Sequence, residues 1–431
     1  MNILIRNAEI YTMDPENTHF TVGSLCIEDD TISYVGPKEG VPGDFHPDRI
    51  IEGKDRLLIP GMVNGHTHLG MTLFRGYANG LPLWEWLSEK IWPLEDQIDG
   101  EDVYWASLLG IMELLAGGCT AFSDMYFFMD RVAEAVEEVG IRAVLARGLQ
   151  GPDANSDLRL KENRELHRNW HNKAQGRIKV MAGPHAEYTC SPEFLIQAME
   201  LADELGTGIH IHVSETEREV EECRGRHGKS PVAFLADLGI LDRHVTAAHC
   251  VVLDQEDLDI LADKGVFVVH NPGSNLKLAS GFAPVTEMKK KGITVCLGTD
   301  GAASNNNLNL WEEMSLAALI HKGVTKDATA LPASEALRMA TFAGAKALDW
   351  DGEIGSLEVG KKADLVMVNG NKPHYYPKTD MEAHLVYSGQ ASDVELVTVN
   401  GKVIYEKGEF LTIDRERVFY EIKRIAGRLY K

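Results

Sequence analysis

Residues 59–71 read IPGMVNGHTHLGM, an apolar, glycine-punctuated run that ends on two histidines one residue apart, His66 and His68. In a β-strand alternate side chains leave the same face, so this spacing aims both imidazoles at one point. The spacing alone decides little, because the chain has 16 histidines among 431 residues and repeats the pattern as HIH at 210–212. A metal-binding pair at the end of a buried strand and two ordinary histidines at a loop are both open at this stage. The order of elements around the stretch has to separate them.

Outward from it the pattern is rhythmic. Apolar, strand-like runs occur at LLIPGMVNGH, CTAFSDM, RAVLARGL, IKVMAGPH, TGIHIHVSE, VTAAHC, VFVVHNP and ITVCLGTD. Amphipathic helical stretches separate them, clearest at 102–116, 130–139, 192–205, 254–264 and 310–323. Parallel strands need crossover connections, so eight strand–helix repeats predict an α/β fold, a (β/α)8 TIM barrel over residues 57–355. The flanks differ. Residues 1–56 and 356–431 carry short alternating runs with Asn-Gly and Asp-Asp turns, such as DVELVTVNGKVIYEKGEF. Neither piece is large enough to stand alone, so both termini are expected to build one small β-sandwich, followed by a terminal helix.

Composition excludes several classes of function. Hydrophobic content of 44% with 25% charged residues is that of a folded globular chain. A formal charge of −22 without a long basic run disfavours nucleic-acid binding, which concentrates Lys and Arg to displace counterions. KKK at 289–291 and GKK at 360–362 read as solvated ends of elements. No apolar run is long enough for a membrane span, and MNILIRNAEIYTMD lacks the features of a signal peptide. Cysteines 26, 119, 190, 223, 250 and 296 are scattered without a Cys-x-x-Cys, so free thiols and a cytoplasmic location are expected.

In such barrels the reacting groups sit at the C-terminal ends of the strands. His66 and His68 end the first predicted strand, His185 follows the fourth, His212 and Glu215 end the fifth, and His249, His270 and Asp300 end the sixth, seventh and eighth. Taken singly, a strand-end His is more often a hydrogen-bonded core residue, and an Asp before Gly often caps a helix or makes a turn. Their joint placement on one rim favours a metal. Three imidazoles and a carboxylate suit zinc or a similar divalent ion with room for water.

The segments PGMVNGHTHLGM, HVSETE, AAHC, HNPGSNLKL and GTDGAASNNNLNLWEEM resemble, in this order, the successive motifs of the amidohydrolase superfamily, in its branch of aminohydrolases and chlorohydrolases. The resemblance extends to the closing GEIGSLEVGKKADLVMV and so covers nearly the whole chain. It implies that His66, His68, His212 and Asp300 are the metal ligands, that Glu215 shuttles protons, and that His249 orients or polarises the attacking water. Asp300 also takes part in catalysis, accepting the proton of that water. His210 lies one pleat deeper and reads as a packing or supporting residue, and His270 stays outside the ligand set. Binuclear relatives use a carbamylated lysine at the end of strand four. Here that end is Gly183-Pro184-His185, with Lys179 too early, so one divalent ion per chain is expected, zinc with iron(II) as the alternative. The His-x-Glu, Pro-Cys-x-x-Cys site of cytidine deaminases is excluded, since HAE at 185–187 has no cysteine half.

Within the superfamily the chain is most similar to the 5′-methylthioadenosine/S-adenosylhomocysteine deaminases. That resemblance makes Glu95 in WPLEDQ the residue gripping the ribose hydroxyls and His185 a nucleoside contact. It also implies that Glu215 and Asp300 touch the substrate. It assigns Arg147 and Arg159 to the distal part of the substrate, Arg147 in its own or a neighbouring subunit. Each has a plainer reading: a helix N-terminal acid for Glu95, a strand-end ion pair for Arg147, a surface partner of Glu162 for Arg159. Trp84, Trp86 and Trp92 could roof a purine or simply pack. The implied activity is hydrolytic deamination of adenosine derivatives to inosine analogues plus ammonia, with a small nucleoside as partner and a homo-oligomer allowed. A 5′-deoxyadenosine or adenosine deaminase, a guanine deaminase and a triazine chlorohydrolase are alternatives on the same ligands. A metal-free scaffold would have no use for the full set of ligands together with Glu215 and His249.

Overall fold

Strands covered by helices on one side and packed into a barrel interior on the other have no wet face, so they read as continuous apolar runs. The computed structural model describes residues 1–430. In it eight such strands follow one another in chain order as a single sheet: Met62–Thr67, Cys119–Tyr126, Arg142–Leu149, Ile178–Pro184, Ile209–Val213, Val245–His249, Phe267–His270 and Val295–Leu297. Every neighbouring pair is parallel. Several crossover helices begin where the sequence caps them: Asp99 before Gly100–Ala116, Ser191 before Pro192–Leu205 and Asp254 before Gln255–Asp263.

The seam between the eighth strand and the first is closed just beyond the strands themselves. The N–H groups of Thr299 and Asp300 donate to the His66 carbonyl at 3.2 and 2.9 Å. Asn64 grips Thr299 from the other side, accepting its N–H at 3.1 Å and donating to its hydroxyl at 2.8 Å. The approach is so close that a Cβ on Gly298 would lie 2.8 Å from the His66 nitrogen, which makes glycine a packing requirement there.

The run LLIPGMVNGH, expected as one strand, is two. Arg56–Pro60 pairs antiparallel with Leu365–Asn369 outside the barrel, and Met62–Thr67 opens the barrel. The break falls at Gly61, whose N–H donates to the Asp364 carbonyl at 3.0 Å. A Cβ at Gly61 would stand 2.0 Å from the Thr120 hydroxyl.

The two chain ends form one mixed nine-stranded sheet. Ile3–Tyr11 is its branch point, pairing with His19–Glu28 on one edge and with Arg49–Glu52 and then Arg56–Pro60 on the other. Ile27 and Ile32 from one arm share a core with Leu365, Met367 and Leu396 from the other. The expected sandwich is therefore a single continuous sheet whose arms face a common interior. It is joined to the barrel by Arg142, fully buried at the start of the third barrel strand, whose Nε donates to Asp364 at 2.6 Å. The terminal helix, Arg415–Leu429, lies against the barrel rather than the sheet: Arg428 donates to the Gln97 carbonyl at 2.9 Å and Tyr430 to that of Leu73 at 2.8 Å.

Candidate metal centre

At the ends of barrel strands five, six and eight the chain leaves the sheet through non-glycine residues in the left-handed region: Ser214 at φ 50°, His249 at 73° and Asp300 at 60°. Such conformations cost on the order of 1–3 kcal/mol each and persist where the surroundings over-determine them. Here they turn side chains inward at the barrel mouth.

Those side chains converge. His68 Nε2 lies 3.1 Å and His66 Nε2 3.5 Å from Asp300 Oδ1, and His68 Nε2 is 3.4 Å from His212 Nε2. All four residues are buried. The far ring nitrogens are already committed. His68 Nδ1 faces the Met125 carbonyl at 2.5 Å and His212 Nδ1 the His185 carbonyl at 2.8 Å. A carbonyl only accepts, so each Nδ1 carries a hydrogen and Nε2 is the nitrogen left to face a metal. His66 Nδ1 faces His210 Nε2 at 2.7 Å, and His210 Nδ1 faces the Ser123 hydroxyl at 2.9 Å. Donation from His66 to His210 to Ser123 leaves a lone pair on His66 Nε2, a buried atom with no hydrogen-bond partner.

Electrostatics match this donor set. Burial holds His66 down to about 3 and His212 well below its ordinary range, so both rings are neutral. Burial opposes ionisation of Asp300, but its contacts with the Nε2 atoms of His66 and His68 outweigh it and keep the carboxyl well below its usual range. Ser274 and Ser304 donate to its other oxygen at 2.6 and 2.8 Å. For His68 burial is in turn outweighed by Asp300, which raises the imidazole to about 9, so a proton and a divalent ion compete for its Nε2. Converging imidazole nitrogens, a carboxylate and a buried nitrogen without a partner fit a divalent ion of borderline softness.

Beside this cluster, His249 Nε2 stands 3.7 Å from Glu215, and its Nδ1 faces Asn275 Oδ1 at 2.9 Å. Burial raises the Glu215 carboxyl above its usual range. The same cause lowers His185 to about 3, and its Nδ1 contacts the Thr189 hydroxyl at 2.9 Å. A cleft of about 670 Å³ opens over these groups, and His68, Glu95, His185, His212, Glu215, His249 and Asp300 line it together with Trp86, Trp92 and Tyr126. Glu95 accepts from the Tyr126 hydroxyl at 2.7 Å, and burial pushes its carboxyl up to about 7 against that bond. Trp84 is mostly outside, exposed beneath the Arg218 guanidinium.

Arg147 and Arg159 are not in this cleft. They line an adjoining chamber of about 1770 Å³ that shares Trp92, Glu95, Phe127 and Gln150 with it. Arg147 pairs with Glu162 at 2.7 Å, while Arg159 pairs with Asp153 and donates to the Gln150 carbonyl, both at 2.7 Å. The sequence reading missed Ser123, Asn275, Gln150 and Tyr126. Only Asn275, in HNPGSN after a strand-end histidine, carried a local signal.

Residues 57–404 match the model of the amidohydrolase family. The chain is 54% identical over 433 residues to a 5-methylthioadenosine/S-adenosylhomocysteine deaminase of Caldanaerobacter subterraneus subsp. tengcongensis, covering 100% of this chain and 99% of that one. Its structure is similar to that of a zinc-bound adenosine deaminase from Xanthomonas campestris, with TM-score 0.96, 35% identity and coverage of 99% and 98%. It is also similar to a zinc complex of an atrazine chlorohydrolase from Arthrobacter aurescens, with TM-score 0.91, 26% identity and coverage of 98% and 100%.

Proposed function

The chain belongs to the amidohydrolase family, and from that premise we propose a metal-assisted deamination of purine nucleosides with His66, His68, His212 and Asp300 as the ligands of one zinc ion. It is a hydrolase acting on carbon–nitrogen bonds, converting 5′-methylthioadenosine and S-adenosylhomocysteine to their inosine analogues and ammonia. The observation that carries the substrate reading is the junction at Trp92, Glu95, Phe127 and Gln150, where the metal-side cleft opens into the chamber of Arg147 and Arg159. A nucleoside with its base over the ligands would set its ribose at Glu95 and its 5′ arm toward the arginines.

When bound, a divalent ion supplies Lewis acidity, which makes water acidic enough to act as a nucleophile near neutral pH. Glu215, whose carboxyl burial raises above its usual range, gives its proton to N1 of the purine and makes C6 electrophilic. His249, with Nδ1 committed to Asn275, directs Nε2 at the attacking water. Asp300 takes the water's proton and passes it to the exocyclic nitrogen. The C6–O bond forms, the C6–N bond breaks, ammonia leaves, and the remaining hydroxyl proton returns to Glu215 as the C6 carbonyl forms. His185 and Glu95 hold the nucleoside, and the indoles of Trp86 and Trp92 wall off solvent.

Zinc is supported by the donor set and by the zinc in two similar structures; iron(II) would satisfy the same donors. The fourth strand ends without a lysine, which supports a single ion. All the assigned residues fall within 57–355, which supports that span as the catalytic domain. Six free, buried cysteines support a reducing, cytoplasmic setting, and among the described residues no helix is long and apolar enough to cross a membrane.

The test is ammonia release from methylthioadenosine, S-adenosylhomocysteine, 5′-deoxyadenosine, adenosine, guanine and a chlorotriazine, with metal analysis of the same preparation. Turnover confined to guanine or the triazine would overturn the nucleoside reading.

A further inference from the structure

Seven residues after His212 the chain places a second buried carboxylate that the chemistry above does not use. Glu219 is only 5% exposed, and its two oxygens accept the backbone N–H groups of Ser214 and Glu215 at 2.8 and 2.7 Å. Two consecutive N–H groups around a residue in the left-handed region form a concave nest suited to an anion. Ser214, at φ 50°, creates that nest, and Glu219 fills it. The side chain also sits in the first turn of the helix Glu217–His227, with its own N–H held by the capping Thr216 hydroxyl at 3.2 Å; burial and the neighbouring Glu215 raise its carboxyl to about 8, against the pull of the two backbone N–H bonds. From behind, the Ser214 carbonyl accepts from Val251 at 3.0 Å and Val252 at 2.9 Å. The turn that aims Glu215 into the cleft is thus clamped on both sides, and one of the clamps is a side chain.

We propose that Glu219 is a positioning residue: its carboxylate splints the Ser214–Glu215 turn and thereby sets the Glu215 carboxyl against the substrate. The proposal rests on the assignment of Glu215 as the proton shuttle. An amide at position 219 would turn an N–H donor toward one of the two backbone donors, so Glu219→Gln keeps the volume and breaks the bidentate clamp.

The experiment is a double-mutant cycle on the metal-loaded enzyme with methylthioadenosine. Glu219→Gln is expected to lower kcat about 10- to 100-fold, while KM and metal content per chain stay within about two-fold. In a Glu215→Gln background the same substitution is expected to change kcat less than about three-fold, because the group it positions is already disabled. Glu219→Asp, which keeps the carboxyl group but is too short to span both N–H groups, should lose activity to an intermediate degree, and it replaces Glu219→Gln in the cycle if that protein does not fold. Equal losses in both backgrounds, unchanged kcat in folded Glu219→Gln, or a loss that follows metal content would overturn the splint. Near-normal kcat in Glu215→Gln alone would instead overturn the Glu215 assignment.

Discussion

The backbone N–H of Asp300 donates to the carbonyl of His66 over 2.9 Å, so the segments bearing the first and last of the proposed ligands are hydrogen-bonded to each other at the barrel seam. The ligand set and the closure of the barrel are one construction. Carboxylate and imidazoles are held 3.1–3.5 Å apart, with Gly298 leaving the room, so the fold itself organises the site.

Removing a donor should therefore abolish function with modest effect on the fold. His68→Ala or Asp300→Ala is expected to lose nearly all turnover and most bound metal. The parent protein should carry about one ion per chain, measured by elemental analysis alongside kcat; two ions per chain in fully active protein would rule out the mononuclear site.

His210 touches no substrate-facing surface yet contacts His66 at 2.7 Å. His210→Leu should weaken metal binding about 10- to 100-fold, read by competition with a chromophoric chelator, since supporting partners of metal histidines typically matter to that degree. Unchanged affinity would mean that the Ser123–His210–His66 chain only fills space.

Glu215→Gln keeps the shape of the side chain but cannot shuttle a proton. Metal content should persist while kcat falls by about 10²-fold or more. Steady-state rates and metal analysis on one preparation decide the point.

The arginine chamber gives a test of substrate charge. S-Adenosylhomocysteine carries a carboxylate on its distal arm and methylthioadenosine ends in a methyl group. A charge-assisted hydrogen bond contributes about 1.5–3 kcal/mol, roughly 10- to 150-fold in kcat/KM. Arg159→Met should reduce S-adenosylhomocysteine turnover by that order and methylthioadenosine turnover by only a few fold. Because Asp153 competes for Arg159 at 2.7 Å, Asp153→Asn should improve kcat/KM for the charged substrate alone. Glu95→Gln should harm both nucleosides together, as both carry the ribose hydroxyls.

Arg142 is wholly buried between barrel and sheet, and its partner Asp364 also accepts the Asn400 N–H at 2.8 Å. Arg142→Met strands that carboxylate in the interior and should cost about 3–5 kcal/mol of stability by denaturant unfolding. Arg164→Met, which breaks the exposed pair with Glu204, should cost less than about 1 kcal/mol.

Read alone, the sequence determined the barrel, the joining of both termini in one appended β unit, and the residues at the strand ends. These follow from periodicity and order: a two-residue repeat brings His66 and His68 to one face, and the strand–helix rhythm brings every strand end to one rim. Tertiary structure alone decided the break at Gly61, the docking of the terminal helix on the barrel, the separation of Arg147 and Arg159 into a second chamber, and the contacts of Ser123, His210 and Glu219. The reason is the distance along the chain between partners. His66 and His210 are 144 residues apart, and Arg142 and Asp364 are 222 apart. No local pattern encodes which nitrogen faces which acceptor. Which acid neutralises which arginine is equally invisible locally: Arg159 has Glu162 on its own helix, yet its guanidinium turns back to Asp153 and the Gln150 carbonyl. Those pairings are set by how the loops pack after the barrel closes.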